Sequence, residues 1–509
     1  MRRKKNKSGS VSVQIISKER GQYTVVQSVG CATEPDEVAK LLLTANDTVA
    51  NPEHQQKLLD IRSRDGLMIE HFLERVANSD IRTVGPELVF GALFDRLGFS
   101  VVPDELFRHI VIARLAYPVS KLKTVDYLYR YRGVRVHIDQ VYRFLDKLNI
   151  IHKEAVQRIA YEYTKKTLKG NIAVVFYDMT TLYFETEDED DLRKIGFSKD
   201  GKFQQPQIML GLLMGEEGLP IGYDIFKGNT FEGHTLLPTL QKLQQKYGFS
   251  QPIVVADAAL LSKDNLKNLK QAKYQFIIGA RIKNENDEIK KKILIQARAM
   301  KDGDSFTIRK KDQTRLVVTY SDKRARKDTH NRERGLRKLR QQIKTGKLTK
   351  EHINNRGYNK FLTLSGEIKV EIDGKKIEGD KQWDGLKGYV TNTRLSVKKI
   401  VANYGHLWQI ENAFRISKTD LRVRPIFHQR ERRIAAHICI AFVAYTIYKE
   451  LERLLKRYKV GLSVKRAAEL THTMYELHYT LPGEVKQMKT LLRMDKEQQK
   501  LYDIIRKSK

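Results

Sequence analysis

Hydrophobic and polar positions change their spacing several times along the chain. Residues 10–29 alternate around a glycine, which predicts a small β-hairpin. From about 35 to 168 the apolar residues recur at helical spacing, so this region is predicted to be helical. Within it, residues 118–148 have the pattern of a helix, a glycine-containing turn and a second helix.

The second helix of this pair has two interpretations. It would present Gln140, Arg143 and Lys147 on one face, and these side chains suit a helix that lies on DNA. An ordinary helical hairpin with a solvated basic face would have the same pattern. Both interpretations stay open at this point.

A buried sheet is predicted next. Residues 171–180 are a continuous apolar run, β-branched and aromatic, typical of a strand that is covered on both faces. The following pattern predicts strand, strand, helix, strand, helix and strand at 206–215, 219–228, 233–248, 251–260, 261–273 and 274–281. Tight connections join the first three strands and helices join the later ones. The pattern therefore predicts an α/β fold with a mixed sheet covered by helices.

The periodicity loosens between about 282 and 395. Short strand-like runs lie on both sides of the basic stretch 322–350, and no helical core pattern spans the region. We predict an inserted β-rich domain with its own small sheet. A helical pattern resumes at 398–421, and the apolar segment 434–448 is predicted to be a buried helix, because it is shorter than the ~18 residues of a membrane span.

These patterns divide the chain into five predicted parts. They are an N-terminal hairpin with a helical region that binds DNA (1–168), the first part of the core (169–281), the inserted β-rich domain (282–395), the rest of the core (396–450) and a basic helical tail (451–509).

The charge balance indicates the class of partner. Lys and Arg number 94 against 61 Asp and Glu, a net charge of +33 that is spread along the chain. Such a charge favours a polyanion, most often DNA or RNA, and no basic amphipathic anchor favours a membrane. Two cysteines without a CxxC motif argue against a disulfide framework or structural zinc, and the basic N-terminus lacks the apolar core of a signal peptide. We expect a soluble protein of the cytoplasm.

Two aspartates differ from the other acids in their setting. Asp178 and Asp257 each close an apolar strand, where a single Asp is more often a helix cap or a turn former. At the ends of adjacent strands, however, the two carboxylates would converge and repel each other unless a cation lay between them. Oxygen ligands of this kind suit Mg²⁺. The six acids between 185 and 191 are predicted to stay mostly solvated.

A third acid lies on a later helix. Tyr404, Glu411 and Lys418 follow each other at seven-residue spacing and would share one face. A solvated face would explain them, but the apolar residues around them indicate a helix that is largely buried.

These residues carry a resemblance. Asp178, Asp257 and Glu411 match the DDE transposases, which have an RNase H-like core, and the closest match is a bacterial insertion-sequence branch. That branch carries a β-rich insertion between its second Asp and its Glu. Its helix signature of Tyr, Arg, Glu and Lys is similar to Tyr404, Leu407, Glu411 and Lys418 here, and departs from it at Leu407. The resemblance extends over roughly 115–450.

Two further segments take part in the resemblance. Residues 227–240 resemble the Gly-Asn motif of the branch, which singles out Asn229 as a DNA contact, and residues 322–328 are similar to a basic stretch in the insertion of some members.

The resemblance implies the chemistry and its residues. Asp178, Asp257 and Glu411 would hold two Mg²⁺ ions, for which Mn²⁺ can substitute, to cleave transposon ends and join their 3′ ends to target DNA. Tyr404 and Lys418 would hold a phosphate at the transposon end.

The arginine that is absent at Leu407 has a candidate replacement. Arg415 lies one helical turn beyond Glu411 and could supply the missing charge.

The two tryptophans, Trp383 and Trp408, stand where relatives with this insertion place aromatic rings that receive a flipped base. Those relatives join the two strands of the transposon end into a hairpin, so a hairpin intermediate is expected, with Trp383 as the stacking platform and Trp408 beside it. Packing in the core is the plainer explanation of both rings.

The expected partners are transposon-end DNA, target DNA and a second copy of the chain in the DNA complex. The expected location is the bacterial cytoplasm, at the nucleoid, with no membrane. Two alternatives stay open at this point, an RNase H-like nuclease or resolvase that does not join strands and an inactive DNA-binding protein.

Overall fold

The computed structural model describes twelve segments of the chain. They are 1–19, 21–50, 69, 72–170, 172–198, 201–248, 251–260, 262–348, 350–354, 357–365, 369–481 and 485–508. These residues form two compact units. The first comprises Met1–Asp80 and His478–Lys489, and the second comprises Ile81–Leu477 and Thr490–Lys509.

Among its described residues, the first unit contains a three-stranded antiparallel sheet and a helix. Its elements are β1 (Arg2–Lys5), β2 (Val11–Glu19), β3 (Gln22–Ala32) and α1 (Pro35–Ala50). The strands β2 and β3 pair as the predicted hairpin, and Gly21 lies at its turn with φ +82°. Glycine adopts this left-handed conformation without strain, so the hairpin prediction is confirmed.

The second unit begins with a short strand and a group of helices. They are β4 (Ile81–Thr83), α2 (Ala92–Arg96), α3 (Glu105–Ala116), α4 (Lys121–Tyr127), α5 (Ile138–Lys147) and α6 (Lys153–Thr167). Side-chain caps from Asp104 and Ser120 begin α3 and α4, because they satisfy backbone N–H groups that have no partner within the helix. The described part of 35–168 is thus mainly helical, as predicted.

The predicted helix–turn–helix consists of α4, a wider helical turn to Arg132, a left-handed Gly133 and α5. Gln140, Arg143 and Lys147 are all exposed on α5. The Gln140 side chain accepts a hydrogen bond from a backbone N–H at the start of its own helix, and Lys147 Nζ lies 3.1 Å from a carboxylate oxygen of Asp104. Arg143 is therefore the residue of the three with the fewest local contacts.

The centre of the second unit is a mixed sheet. Its first strands are β5 (Val174–Tyr183), β6 (Gln207–Met214), β7 (Pro220–Lys227), β8 (Ile253–Ala256) and β9 (Gln275–Ala280), and its helices are α7 (Leu236–Tyr247), α8 (Lys263–Gln271) and α9 (Asp287–Ala297). The strands lie in the order β7-β6-β5-β8-β9. The first three are antiparallel and β5, β8 and β9 are parallel. This is the arrangement expected for an RNase H-like core.

The insertion enlarges this sheet. Its strands are β10 (Ser305–Arg309), β11 (Arg315–Tyr320), β12 (Leu362–Ser365), β13 (Lys369–Ile372) and β14 (Leu386–Thr391). Strand β14 pairs with β9, β11 with β14 and β10 with β11, so the main sheet has eight strands, while β12 and β13 pair separately. The prediction of an independent small sheet is wrong for these three strands. Because β11 and β14 carry buried apolar residues on both faces, they need the two covering layers of the main sheet.

The basic stretch 322–350 is also different from the prediction. Most of it forms one helix of 23 residues, α10 (Asp322–Lys344), although no helical core pattern was expected. Its buried stripe is narrow and includes Arg332, Leu336 and Leu339, so the apolar periodicity is weak. A shorter helix, α11 (Gly374–Lys381), lies before β14.

The described C-terminal part of the chain is mainly helical and includes two strands. It comprises α12 (Val397–Gly405), α13 (Trp408–Arg415), α14 (Glu431–Arg457), α15 (Val464–Thr471), β15 (Tyr475–Thr480), β16 (Gln487–Leu491) and α16 (Lys496–Lys507). Residues 475–477 of β15 pair with β4. The prediction of a purely helical tail is therefore wrong. The strand β15 was missed because its pairing partner lies almost four hundred residues earlier in the chain.

Helix α14 is the largest buried element. Of the described helices it alone is long and apolar enough to cross a membrane, but 94% of its apolar window is buried within the protein. Its side chains contribute to the core on one face of the sheet, which also contains Val255 and Ile277, whereas Val254 and Ile278 point into the core on the other face. The buried-helix prediction for 434–448 is confirmed.

A buried basic cluster lies between the N-terminal helices and α14. It consists of Arg114, Lys121, His428 and His437, of which Arg114 and Lys121 are each 6% exposed. The two histidine rings are 5.5 Å apart between centroids. Burial lowers the pKa of His428 to about 4, and the charge of Lys121 acts in the same direction. Folding thus holds this imidazole in its neutral form.

This cluster gives an expected dependence of stability on pH. Below the ordinary histidine pKa of about 6.5 the unfolded chain binds a proton at residue 428 that the folded chain does not bind until about pH 4. The free energy of unfolding should therefore fall as the pH drops through this window, and His428→Gln should weaken that fall. Urea titrations at pH 7.5 and 5 measure both. The exposed His330→Gln is the control, and an identical pH dependence in the wild type and His428→Gln would contradict the assignment.

Candidate active site

The two predicted aspartates lie side by side in the sheet. Tyr177 of β5 and Ala256 of β8 are partners in the parallel pairing, and Asp178 and Asp257 are the next residues of their strands. Asp178 does not close its strand as predicted, because β5 continues along β6, where Asp178 pairs with Leu212. Its side chain is half-buried, and that of Asp257 is exposed.

A tyrosine connects Asp257 to the helix that follows the insertion. The Tyr404 hydroxyl donates a hydrogen bond of 3.2 Å to Asp257 Oδ1. The hydroxyl passes directly over Gly279 of β9, where any Cβ would collide with it. Burial raises the pKa of Tyr404, and the Asp257 carboxylate raises it further. The phenol therefore stays protonated and holds Asp257 as a donor.

Glu411 is exposed on α13, which packs against β5. The helical path between Tyr404 and Glu411 is not uniform, since Leu407 N donates to the Tyr404 carbonyl three residues earlier rather than four. Beyond Arg415 the helix widens into a π-turn at Ile416–Asp420. The seven-residue face predicted from an ideal helix consequently does not continue to Lys418.

Lys418 instead borders a different, mainly apolar space. Thr180, Phe414 and Tyr445 are among the residues that surround it. Tyr404 and Glu411, by contrast, both face the main cavity of the unit.

This main cavity has a volume of about 950 Å³ and brings together several predicted residues. They are Asp257, Tyr404, Leu407, Trp408, Glu411 and, from the insertion, Trp383. Trp383 is half-buried against the core, whereas Trp408 is 56% exposed. Core packing therefore does not explain the position of Trp408.

Most acidic side chains at the cavity form ion pairs with other described residues, and those of Asp257 and Glu411 do not. Arg332 binds both carboxylate oxygens of Asp384, at 2.6 and 2.5 Å, and Lys283 and Lys360 lie 2.6 and 2.7 Å from Asp380. These acids are neutralised within the insertion and its junction. In the described part of the chain, Asp257 and Glu411 form no ion pair, so their charges face the cavity.

The family comparison identifies the enzyme class of the chain. The sequence matches the family described as Transposase DDE domain over residues 169–447, which is more than half of the chain. The chain belongs to the DDE transposase family. It is accordingly a DNA transposase, an enzyme that uses divalent metal ions to cleave DNA and transfer its strands. No curated protein matches the sequence.

Three solved structures similar to the transposase have low sequence identity to it. The synaptic complex of piggyBac transposase with hairpin DNA is 10% identical with a TM-score of 0.38, over 76% of each chain. The Mos1 paired-end complex with the left transposon end is 13% identical with a TM-score of 0.16, over 31% of this chain and 53% of that chain. The Mos1 mariner complex with Mn is 14% identical with a TM-score of 0.15, over 31% and 54%.

The carboxylates of the transposase fit a divalent ion by chemistry and by strand register. Asp178, Asp257 and Glu411 offer only oxygen ligands, which Mg²⁺ and Mn²⁺ prefer. Among the described residues no three side chains of the His, Cys, Asp and Glu types converge on one point. Asp178 does not line the cavity, although its place in the strand is next to that of Asp257.

Other predicted DNA contacts lie outside the cavity of the transposase. The exposed Arg415 donates to Asn412 Oδ1 from Nε and Nη2, at 3.2 and 2.8 Å. It stays one helical turn from Glu411 on α13 but does not line the cavity. Asn229 is exposed in the turn after β7, and Arg143 and Lys147 lie on α5, so these three are on other elements than Glu411.

Lys387 is among the cavity residues that the sequence analysis did not name. It lies on β14, and its Nζ is 4.3 Å from the centre of the Tyr404 ring and 5.6 Å from that of Tyr389. Burial lowers the pKa of Lys387, while Asp257 and Glu411 act in the opposite direction. A single lysine in an otherwise apolar strand was the available signal.

Proposed function

We propose that this transposase cleaves the ends of its transposon in the main cavity and joins the 3′ ends to target DNA. The observation that carries the proposal is the shared cavity of Asp257, Glu411, Tyr404 and the two tryptophans. One acid comes from the end of a core strand and the other from a helix beyond the insertion. Trp383 and Lys387 bring the insertion to the same cavity.

Asp178, Asp257 and Glu411 would hold two Mg²⁺ ions, or Mn²⁺ in their place. When bound, such ions polarise the attacking water or 3′-hydroxyl and neutralise the leaving oxygen of the scissile phosphate. The chain's own part is to orient the ligands. Tyr404 fixes the Asp257 carboxylate, and the packing of α13 on β5 holds Glu411 near it.

DNA cleavage and strand joining can be tested on the sequences next to the coding region. A labelled duplex that carries the terminal inverted repeat should be cut at the repeat end in Mg²⁺, and a pre-cut end should be joined to a plasmid target. Cleavage without joining would instead indicate a nuclease or resolvase. Binding without cleavage would indicate an inactive DNA-binding protein.

The remaining DNA contacts would lie outside the cavity. Arg143 and Lys147 on α5 would bind the transposon end, with Arg415, Lys418 and Asn229 as further phosphate contacts. Within this set Arg143 has the clearest support, because it is exposed and has no partner among the described residues. We also infer that two copies of the chain act together on the paired ends, in the bacterial cytoplasm at the nucleoid.

A hairpin intermediate is part of the proposal. Closing a hairpin requires a base near the end to leave its stack, and an aromatic ring can receive it. Trp383 and Trp408 both line the cavity with Glu411, and the exposure of Trp408 leaves its ring accessible to a base. Trp383, which is supported by the core behind it, is the more rigid platform.

Trp383→Ala should still nick the transposon end but accumulate nicked DNA without a hairpin. Stacking of a base on an aromatic ring is worth about 1–3 kcal/mol, so hairpin formation should slow by about tenfold or more. Denaturing gels of a labelled end measure both products. Trp383→Phe retains a ring and should form hairpins faster than Trp383→Ala. If the wild type makes no hairpin, or Trp383→Ala makes it normally, Trp383 is a packing residue only.

A further inference from the structure

Lys387 is a cation that the core and the insertion place at the cavity without a neutralising partner. It stands near the start of β14, next to the carboxyl end of β9, because Gly388 pairs with Ala280. In the described part of the chain its ammonium group forms no ion pair. The other lysines of the cavity, Lys283 and Lys360, are bound to Asp380.

The surroundings of Lys387 hold the ammonium group at the cavity surface. The side chain is half-buried, and the faces of Tyr404 and Tyr389 attract the charge. An aromatic ring carries no net charge and does not neutralise the ammonium group. The group can therefore still attract an anion. Arg324 of α10 lines the same wall.

The neighbouring carboxylates define where an anion could bind. Asp257 and Glu411 attract Lys387 but lie too far away for an ion pair. A phosphate group held near these carboxylates would share the cavity with Lys387. Leu407 lines this same cavity and is buried, so α12 and α13 supply no cation from that position.

We propose that Lys387 binds a phosphodiester group of the DNA end in the active site. This inference rests on the proposed function. The phosphate concerned is the scissile one or its direct neighbour, because Tyr404 links Lys387 to Asp257 through contacts of 4.3 and 3.2 Å.

The first test compares Lys387→Met with wild type at saturating DNA. Loss of a charged contact made to the reacting phosphate should reduce the single-turnover cleavage rate by about 10- to 100-fold and change the Kd for end DNA much less. Lys387→Arg should restore part of the rate. Lys360→Met is the matched control, since it removes the same charge from the same cavity while Asp380 keeps Lys283 as a partner.

The second test identifies the phosphate. Methylphosphonate DNA carries one neutral linkage, placed in turn at the scissile position and at each neighbour. If Lys387 contacts a given phosphate, Lys387→Met should have almost no further effect on the substrate that is neutral there. Equal effects of the variant on every substrate would overturn the proposal.

Two other outcomes are distinguishable. If Lys387 only neutralises the carboxylates before metal binds, Lys387→Met should need less Mg²⁺ for half-maximal cleavage and keep the full maximal rate. This result would overturn the proposal and leave the proposed function intact. If the wild type itself does not cleave end DNA, the proposed function fails before Lys387 is tested. Unchanged thermal unfolding of the variant shows that the fold is retained.

Discussion

Asp178→Asn, Asp257→Asn and Glu411→Gln should each abolish cleavage of the transposon end. Changes in the surroundings of a metal ligand typically reduce activity 10- to 100-fold, so loss of a ligand itself should reduce the cleavage rate by about 100-fold or more. Each substitution removes one negative charge and keeps the side-chain volume. Binding of end DNA, which depends on phosphate contacts elsewhere, should therefore be retained.

Single-turnover cleavage in Mg²⁺ and in Mn²⁺, together with gel-shift titrations, measures these two properties. The control is Glu187→Gln, which removes the same charge from the exposed loop after β5. It should cleave like wild type. Near-normal cleavage by any one of the three variants would show that its residue is not a metal ligand. Asp178 is the most informative, because the cavity as it stands is formed without it.

Binding of end DNA should weaken steeply with salt. The net charge of +33 and the exposed basic residues of α5 and α10 favour many phosphate contacts. If six or more phosphates are bound, the association constant should fall by about 10³-fold or more between 50 and 200 mM salt, because each contact releases condensed counterions.

Fluorescence anisotropy across this range gives the slope of log K against log salt. Arg143→Ala should reduce the slope by about one unit if this side chain binds a phosphate. Lys123→Ala is a suitable comparison, since Lys123 is also exposed but lies on α4, outside the predicted face. A nearly flat salt dependence in the wild type would contradict a binding mode dominated by phosphate contacts.

The core of the fold was predictable because its signals are local. Buried parallel strands such as Ile253–Ala256 are continuous apolar runs, and the alternation of 10–29 is typical of a hairpin. The attachment of β14 to β9 depends on residues about 110 positions apart, and no local pattern encodes that pairing. Helix α10 was missed because its buried stripe contains an arginine and few apolar residues.

The site was predictable to a similar degree. Asp257, Glu411 and Tyr404 share one cavity, as their settings suggested, whereas Lys418 departs from it because the helix changes its winding between Tyr404 and Asp420. An ideal periodicity of 3.6 cannot anticipate such changes. Lys387 was missed because its importance depends on the strand beside it rather than on its own neighbours in sequence.

The pairing of β14 with β9 also bears on how the enzyme could be shortened. A deletion that removed residues 305–391 would leave β9 as the margin of the sheet, with its backbone N–H and C=O groups open along Ile277–Ala280. Such unpaired apolar margins join readily to those of other molecules, so the truncated chain should associate into aggregates rather than persist as a minimal nuclease. By covering this margin, β14 makes the insertion part of what keeps the core soluble.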